Sequence, residues 1–129
     1  MSTKTTLASF NAFAQYIQSL SSGIIQTLEE SIFGLNLNHN FINYRDLQVK
    51  PFIEHDIDGS ISAILIELNF VADKYIDETL DDVLTEDFGD ILESTIDLNE
   101  PAIKQLCKEL EDDDLFAWVQ PIIFVSYET

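Results

Sequence analysis

The chain has very few cations. Its 129 residues include 6 Lys and Arg against 24 Asp and Glu, which gives a formal net charge of -18. Proteins that bind nucleic acid neutralise phosphates with Lys and Arg, and anionic membrane surfaces attract the same residues. The composition therefore argues against direct binding to nucleic acid or to an anionic membrane. It favours basic proteins, basic peptides or cations as partners.

Cysteine and glycine are also scarce. Cys107 is alone, so no disulfide can form within the chain, which fits a reducing compartment. The 4 Gly are scattered, and no glycine-rich phosphate loop is present. No segment approaches the roughly 20 apolar residues of a membrane span, and the polar start of the chain lacks an apolar leader. We therefore expect a soluble, cytoplasmic protein.

The chain is nevertheless rich in apolar residues. Hydrophobic residues make up 46% of it, whereas intrinsic disorder requires low hydrophobicity together with high charge. The length is that of one domain, which we place at residues 1–129. We expect a sizeable core beneath an acidic surface.

The N-terminal part of the chain predicts a long helix. Apolar residues recur at spacings of three and four over Leu7–Phe33, which places them on one face. Ser21–Gly23 is a candidate kink or break, and Gly34 is a candidate helix stop. The alternation of apolar residues in 35–41 is typical of a short strand.

A β-hairpin is predicted next. Leu47–Ile57 and Ile61–Phe70 have the alternation of strands, and Asp58-Gly59 between them is a strong turn signal in which both central residues take positive φ. Pro51 lacks an amide donor, which favours an edge strand or a bulge. Residues predicted to face the core are Leu47, Val49, Ile53 and Ile57 on the first strand and Ile64, Ile66, Leu68 and Phe70 on the second.

The remaining elements complete an α+β pattern. Tyr75–Ile96 predicts an amphipathic helix, and Ile122–Tyr127 predicts a last strand. Between them, Asn99 is predicted to cap a further helix that has Pro101 in its first turn. We expect a small antiparallel sheet, made of the hairpin around Asp58-Gly59 and the C-terminal strand. It would pack against the N-terminal helix and two acidic helices from the C-terminal half.

Cofactor and metal motifs are weak. Residues 54–59 resemble the opening of a calcium-binding EF-hand loop, but position twelve is Leu65 instead of a bidentate Glu. His39, His55 and Cys107 lack metal-ligand spacing. No arrangement of Ser, Cys and His indicates an activated nucleophile. We therefore predict a plain hairpin turn at 54–59, no metal, no cofactor and no enzymatic activity.

Acidic residues dominate one stretch. No Lys or Arg occurs over Tyr75–Ile103, and four acids there are spaced four apart, on one side of the predicted helix: Glu78, Asp82, Glu86 and Asp90. Like charges at this spacing cost a few tenths of a kcal/mol per pair. Such a row resembles a polyanion. The alternative is a face that serves only solubility.

A second acidic run follows at Asp112, Asp113 and Asp114. Leu115, Phe116 and Trp118 come directly after it, and large aromatics surrounded by acids are typical of a protein-binding patch. The alternative is that Phe116 or Trp118 closes the core before the last strand.

These features favour an acidic inhibitor of a basic protein that acts on nucleic acid, either an immunity protein for a nuclease toxin or a DNA mimic. A cytoplasmic chaperone for a secreted effector is the alternative, a small enzyme is a third, and a homodimer is compatible with these interpretations. The candidate partner-binding residues are Asp77, Glu78, Asp81, Asp82, Glu86, Asp90, Glu93, Asp112, Asp113, Asp114 and Trp118.

Overall fold

Helices pack on one face of a three-stranded sheet, which confirms the α+β fold class. The computed structural model describes residues 7–128. Residues 1–6, part of the segment in which no leader was expected, and Thr129 lie outside the described residues.

The N-terminal helix is longer than its periodicity predicted. It runs as α1 (Leu7–Thr27), a single π-helical segment (Leu28–Ile32) and α2 (Phe33–His39), and it passes through Ser21–Gly23 without a break. A Cβ on Gly34 would lie 2.6 Å from the carbonyl oxygen of Glu29, so glycine is needed where the wide π turn rejoins the α-helix. Gly34 therefore continues the helix instead of ending it.

The short strand predicted at 35–41 is wrong, because most of this segment is helical. Phe33 and Leu37, four residues apart, are both fully buried, which is a helical pattern. Leu35 and Phe41 are exposed, so the alternation of apolar residues does not mark a buried strand face.

The predicted hairpin is confirmed as β1 (Tyr44–His55) and β2 (Ile61–Ala72), which pair antiparallel. The Gly59 amide donates to the Asp56 carbonyl at 2.9 Å, and Gly59 has a φ of 85°. Asp58 does not take positive φ, so the turn is a three-residue loop in which Gly59 supplies the left-handed residue. The loop is longer than predicted and exposes Ile57 at its tip instead of burying it.

The last strand, β3 (Val119–Tyr127), pairs with β2 in parallel, in the order β1-β2-β3. The predicted antiparallel sheet is therefore mixed. The helical connection returns the chain to the level of Ile64, where β3 starts in the same direction as β2. Pro51 and Pro121 both lie on edge strands, which tolerate a missing amide donor.

The two helices between β2 and β3 are α3 (Glu78–Thr95) and α4 (Pro101–Leu110), followed by a 3-10 turn (Leu115–Ala117). Glu100, not Asn99, occupies the N-cap position of α4. The prediction of two acidic helices holds only for α3, because α4 contains Lys104 and Lys108 against one acid, Glu109.

The core lies between the helices and the sheet. The predicted inward residues of β2 (Ile64, Ile66, Leu68 and Phe70) are buried, while α1 packs on β1 and α3 on β3. Gly89 permits a close approach of α3 to β3, since a Cβ there would lie 3.3 Å from Cγ of Pro121. The position of α3 is fixed at both ends, since the Ile76 amide donates to Tyr127 Oη at 3.3 Å and the Asp97 amide donates to Tyr16 Oη at 2.9 Å.

Candidate partner-binding face

Helix α3 is stabilised by its own sequence. The Asp77 carboxylate caps it by accepting the Leu80 amide at 2.8 Å, and Glu78 and Asp81 in the first turn complement the helix dipole. Because the cap is at Asp77, the helix begins three residues later than Tyr75. Its inward side carries an apolar stripe: Leu80, Leu84, Phe88, Ile91 and Leu92, all buried. Val83, whose spacing also predicts a place on this stripe, is instead partly exposed.

The outward side of α3 carries a carboxylate row, which we define as Glu78, Asp82, Glu86 and Asp90. All four side chains are exposed, as is Glu93 one turn further along. Within 7–128, no hydrogen bond or ion pair joins any of these five carboxylates to another side chain. At 1.5 Å per residue, the five span about 22 Å of helix. The predicted row is therefore present, solvated and not neutralised by described residues.

Two other predicted site residues on this helix serve the fold directly. Asp77 is the N-cap described above. Asp81 is half-buried, and its carboxylate and carbonyl oxygens accept the Thr85 hydroxyl at 3.2 and 2.8 Å. These hydrogen bonds stabilise the first turns of α3, the helix that carries the carboxylate row.

Asp87 is an acid that the sequence did not single out. One carboxylate oxygen is shut off from solvent and has no hydrogen-bond partner among the described residues. Desolvation raises the pKa of Asp87, and the charges of Asp90 and Glu86 raise it further. Its position beside the row and partly below the surface is a property of the folded helix that charge counting does not reveal.

The Asp87→Asn variant is expected to be more stable than the wild type at pH 7. The folded-state pKa is raised, so the contribution of Asp87 to stability is complete below its unfolded pKa of about 3.9 and is lost as pH rises through the folded pKa. Removing the charge should raise the melting temperature by about 1–3 °C at pH 7 and by almost nothing near pH 3. Thermal unfolding followed by circular dichroism at both pH values measures this.

Asp82→Asn is the matched control, because it removes an exposed charge from the same helix. It relieves repulsion but no desolvation, so its gain at pH 7 should be smaller. An Asp87→Asn variant that melts lower than the wild type at pH 7 would show that the charged carboxylate stabilises the fold.

The second acidic run is a folded loop, not a tail. Asp112 is half-buried and accepts Nε1 of Trp118 at 3.0 Å and the Asp114 amide at 2.9 Å. Trp118 is half-buried against the core, and Leu115 is fully buried. Asp112 and Trp118 thus hold the 3-10 turn in place, while Asp113 and Asp114 are exposed.

An aromatic side chain does lie beside the carboxylate row, but it is Phe116. A hollow of about 160 Å³ between α3 and the start of β3 is lined by Phe116 and Pro121, with Asp90 and Glu93 at its edge. The fold therefore places Phe116 and Pro121 beside the C-terminal end of the row. Spacing alone could not predict this, because Phe116 is more than twenty residues from either acid.

The described residues offer no metal centre or reactive thiol. Burial raises the pKa of the Cys107 thiol, and the nearby charges of Asp113, Asp112 and Asp114 raise it further, which disfavours the thiolate. His39 and His55 are exposed, and no three His, Cys, Asp or Glu side chains within 7–128 form a metal-binding group. The EF-hand-like segment is the hairpin turn, as predicted.

Comparisons with protein-family models, with characterised proteins and with solved structures found no match. Among the described residues, no helix has both the length and the apolar character needed to cross a bilayer.

Proposed function

We propose that this chain is an acidic inhibitor that binds a basic protein acting on nucleic acid and occupies its phosphate-binding cleft. The observation that carries the proposal is the carboxylate row. It holds four exposed carboxylates without described partners on the outer side of a helix whose two ends are fixed. Self-repulsion on this scale destabilises the compact state, so a face of this kind is more readily explained by a partner than by folding.

The geometry supports mimicry of a nucleic-acid strand. The five carboxylates from Glu78 to Glu93 span about 22 Å, over which one DNA strand carries six or seven phosphates at about 3.4 Å each. The charge density of the face is thus somewhat below that of the strand. A cleft lined with Lys and Arg would attract it from a distance, and the association would be fast and weakened by salt.

Phe116 adds an apolar contact, which a polyanion by itself does not offer to a partner. Charged rims set the association rate, while anchors packed in apolar hollows slow dissociation and provide specificity. The hollow between Phe116 and Pro121 lies against Asp90 and Glu93, so it can receive an apolar group or the aliphatic part of a basic side chain. No catalytic step is assigned to the chain in this mechanism. A nuclease-toxin immunity protein and a DNA mimic would both work in this way.

The proposal is tested by parallel capture. Wild-type protein and the triple variant Asp82→Asn, Glu86→Gln and Asp90→Asn are immobilised and exposed to a panel of basic nucleases and DNA-binding enzymes, and to an extract of the producing cells. We expect the wild type alone to retain a basic protein, to release it to duplex DNA or high salt, and to inhibit its activity stoichiometrically. Identical retention by both proteins would contradict a role for the carboxylate row.

A cytoplasmic chaperone for a secreted effector remains a second candidate, because the sheet face turned away from the helices exposes apolar side chains. Phe52 and Phe124 on that face are 43% and 54% exposed. A chaperone would retain an extended, apolar client regardless of the charge at positions 82, 86 and 90. The same capture experiment therefore separates the two functions.

A further inference from the structure

The sheet has a second face that no described helix covers. On β2 this face carries Leu65, Glu67, Asn69 and Val71, which are half-buried, whereas their neighbours along the strand are buried beneath the helices. The strand registers set four rows across β1, β2 and β3. The rows are Phe52–Leu65–Gln120, Lys50–Glu67–Ile122, Gln48–Asn69–Phe124 and Arg45–Val71–Ser126, which together we call the open face.

Five of the twelve side chains on the open face are apolar, and two of them are phenylalanines. Phe52 and Phe124 are about half-exposed, Leu65 and Ile122 lie between them, and Val71 lies in the row beyond Phe124. Two exposed phenylalanines on a sheet face that no described helix covers make it a candidate interaction site.

The open face is also nearly neutral, unlike the rest of this acidic chain. Lys50 lies directly opposite Glu67 in the ladder. Arg45 bonds through Nε to Glu128 at 2.9 Å, and also contacts Asp46. Two of the five described cations thus lie on this one face, each beside an acid. A basic client would gain little here, because the acids already have neighbouring cations.

We infer that the open face binds a second copy of this chain. Two molecules that each carry a net charge of -18 repel through most of their surfaces, and they can approach closely only where charge is balanced. The pattern of the rows is also self-complementary. A two-fold axis perpendicular to the strands, between the second and third rows, places Glu67 of one copy against Asn69 of the other, and Ile122 against Phe124.

The paired sheets form an aligned sandwich. In this arrangement the outer rows bring Phe52 over Arg45 and Leu65 over Val71. This juxtaposition leaves the carboxylate row of α3 outside the interface, since α3 lies on the other side of the sheet. The dimer would therefore present two carboxylate rows, and its existence does not depend on the proposed inhibitor function.

The area of the open face limits the strength of the dimer. Seven residues at about 3.3 Å by three strands at about 4.8 Å give roughly 330 Å² per copy. The total is below the roughly 1,600 Å² of a standard interface, so we expect a dissociation constant on the order of tens of micromolar. Because salt screens repulsion between the two acidic copies, raising NaCl from about 0.02 to 0.5 M should tighten the dimer at least about tenfold. The inhibitor complex should respond to salt in the opposite direction.

Sedimentation equilibrium of the full chain over a concentration series at both salt levels tests the inference. The Phe52→Ser, Phe124→Ser double variant is expected to stay monomeric throughout. The control is the Leu35→Ser, Ile57→Ser double variant, which loses two exposed apolar side chains elsewhere and should dimerise like the wild type. Far-UV circular dichroism checks that both variants fold.

A wild-type chain that is monomeric at every concentration and salt level would overturn the inference. So would a dimer that persists in the Phe52→Ser, Phe124→Ser variant, or a monomer whose open face binds an extended apolar peptide instead. The Asp82→Lys, Glu86→Lys, Asp90→Lys variant separates this inference from the inhibitor proposal. It should associate with the basic partner much more slowly. It should dimerise at least as well as the wild type, because its net negative charge is smaller.

Discussion

Replacing Asp82, Glu86 and Asp90 together with Lys is expected to slow association with the basic partner about 100-fold at low salt. Electrostatic steering raises association rates from about 10⁵–10⁶ to about 10⁸–10⁹ M⁻¹s⁻¹. The three substitutions reverse the charge of three of the four members of the carboxylate row, so most of this advantage should be lost. The dissociation rate should change much less, since Phe116 and its hollow are intact. Stopped-flow association over a series of salt concentrations measures both effects.

The control variant carries the same change in net charge elsewhere. In it Glu30, Glu54 and Asp56, all exposed, are replaced by Lys. Both variants have a net charge of about -12, because each substitution adds two positive units, so a general effect of charge would slow them equally. The row variant should also fold about as well as the wild type, since it turns the repulsion between positions 78 and 82 into attraction and leaves the pairs 82–86 and 86–90 alike in charge. If its association rate at low salt equals that of the wild type, the row serves only solubility.

The largest expected loss of stability comes from Phe33→Ala, at about 3–5 kcal/mol. Phe33 is fully buried, and its ring packs edge-on against Tyr44 at 5.0 Å and Phe70 at 4.9 Å. These contacts join the N-terminal helix to both strands of the hairpin. The loss is a large part of the roughly 5–15 kcal/mol that stabilises a typical domain. Urea unfolding should show a lower midpoint with an unchanged slope.

Phe41→Ala is the control for this prediction. Phe41 is 79% exposed, so its removal should change the free energy of unfolding by less than about 0.5 kcal/mol. Equal losses for the two variants would show that Phe33 does not form the junction between the helix and the hairpin.

Much of the fold was predictable because it depends on local patterns. The apolar stripe of α3 and the alternation in β2 place their buried residues correctly, since each side chain's direction follows from the helical or strand period. The hairpin was predictable because Gly59 accepts the left-handed conformation of the loop. These signals operate within a few residues and need no knowledge of what packs against them.

The errors occur where distant contacts override local patterns. Residues 35–41 alternate like a strand, but burial of Phe33 and Leu37 in the core, together with the close approach at Gly34 just after the π turn, extends the helix instead. The direction of β3 depends on where α3 and α4 return the chain, which no local signal states.

In the candidate site too, local spacing predicted some features, while packing between distant segments decided the others. The carboxylate row followed from a spacing of four on a helix, and its exposure is confirmed by the structure. Asp112 and Trp118 had the composition of a binding patch, yet they bond to each other and hold the 3-10 turn. Only tertiary packing places Phe116 beside the carboxylate row.

The sequence by itself determined the acidity of the chain, the apolar stripe of α3 and therefore the outward direction of its acids, because helical periodicity needs no partner. Only the tertiary structure decided that α3 lies across β3 with both ends fixed, that Phe116 adjoins the row, and that one sheet face is left open. The reason is physical: a helix selects its own faces through local hydrogen bonds, whereas the surface beside each face is chosen by packing between segments that are remote in the chain.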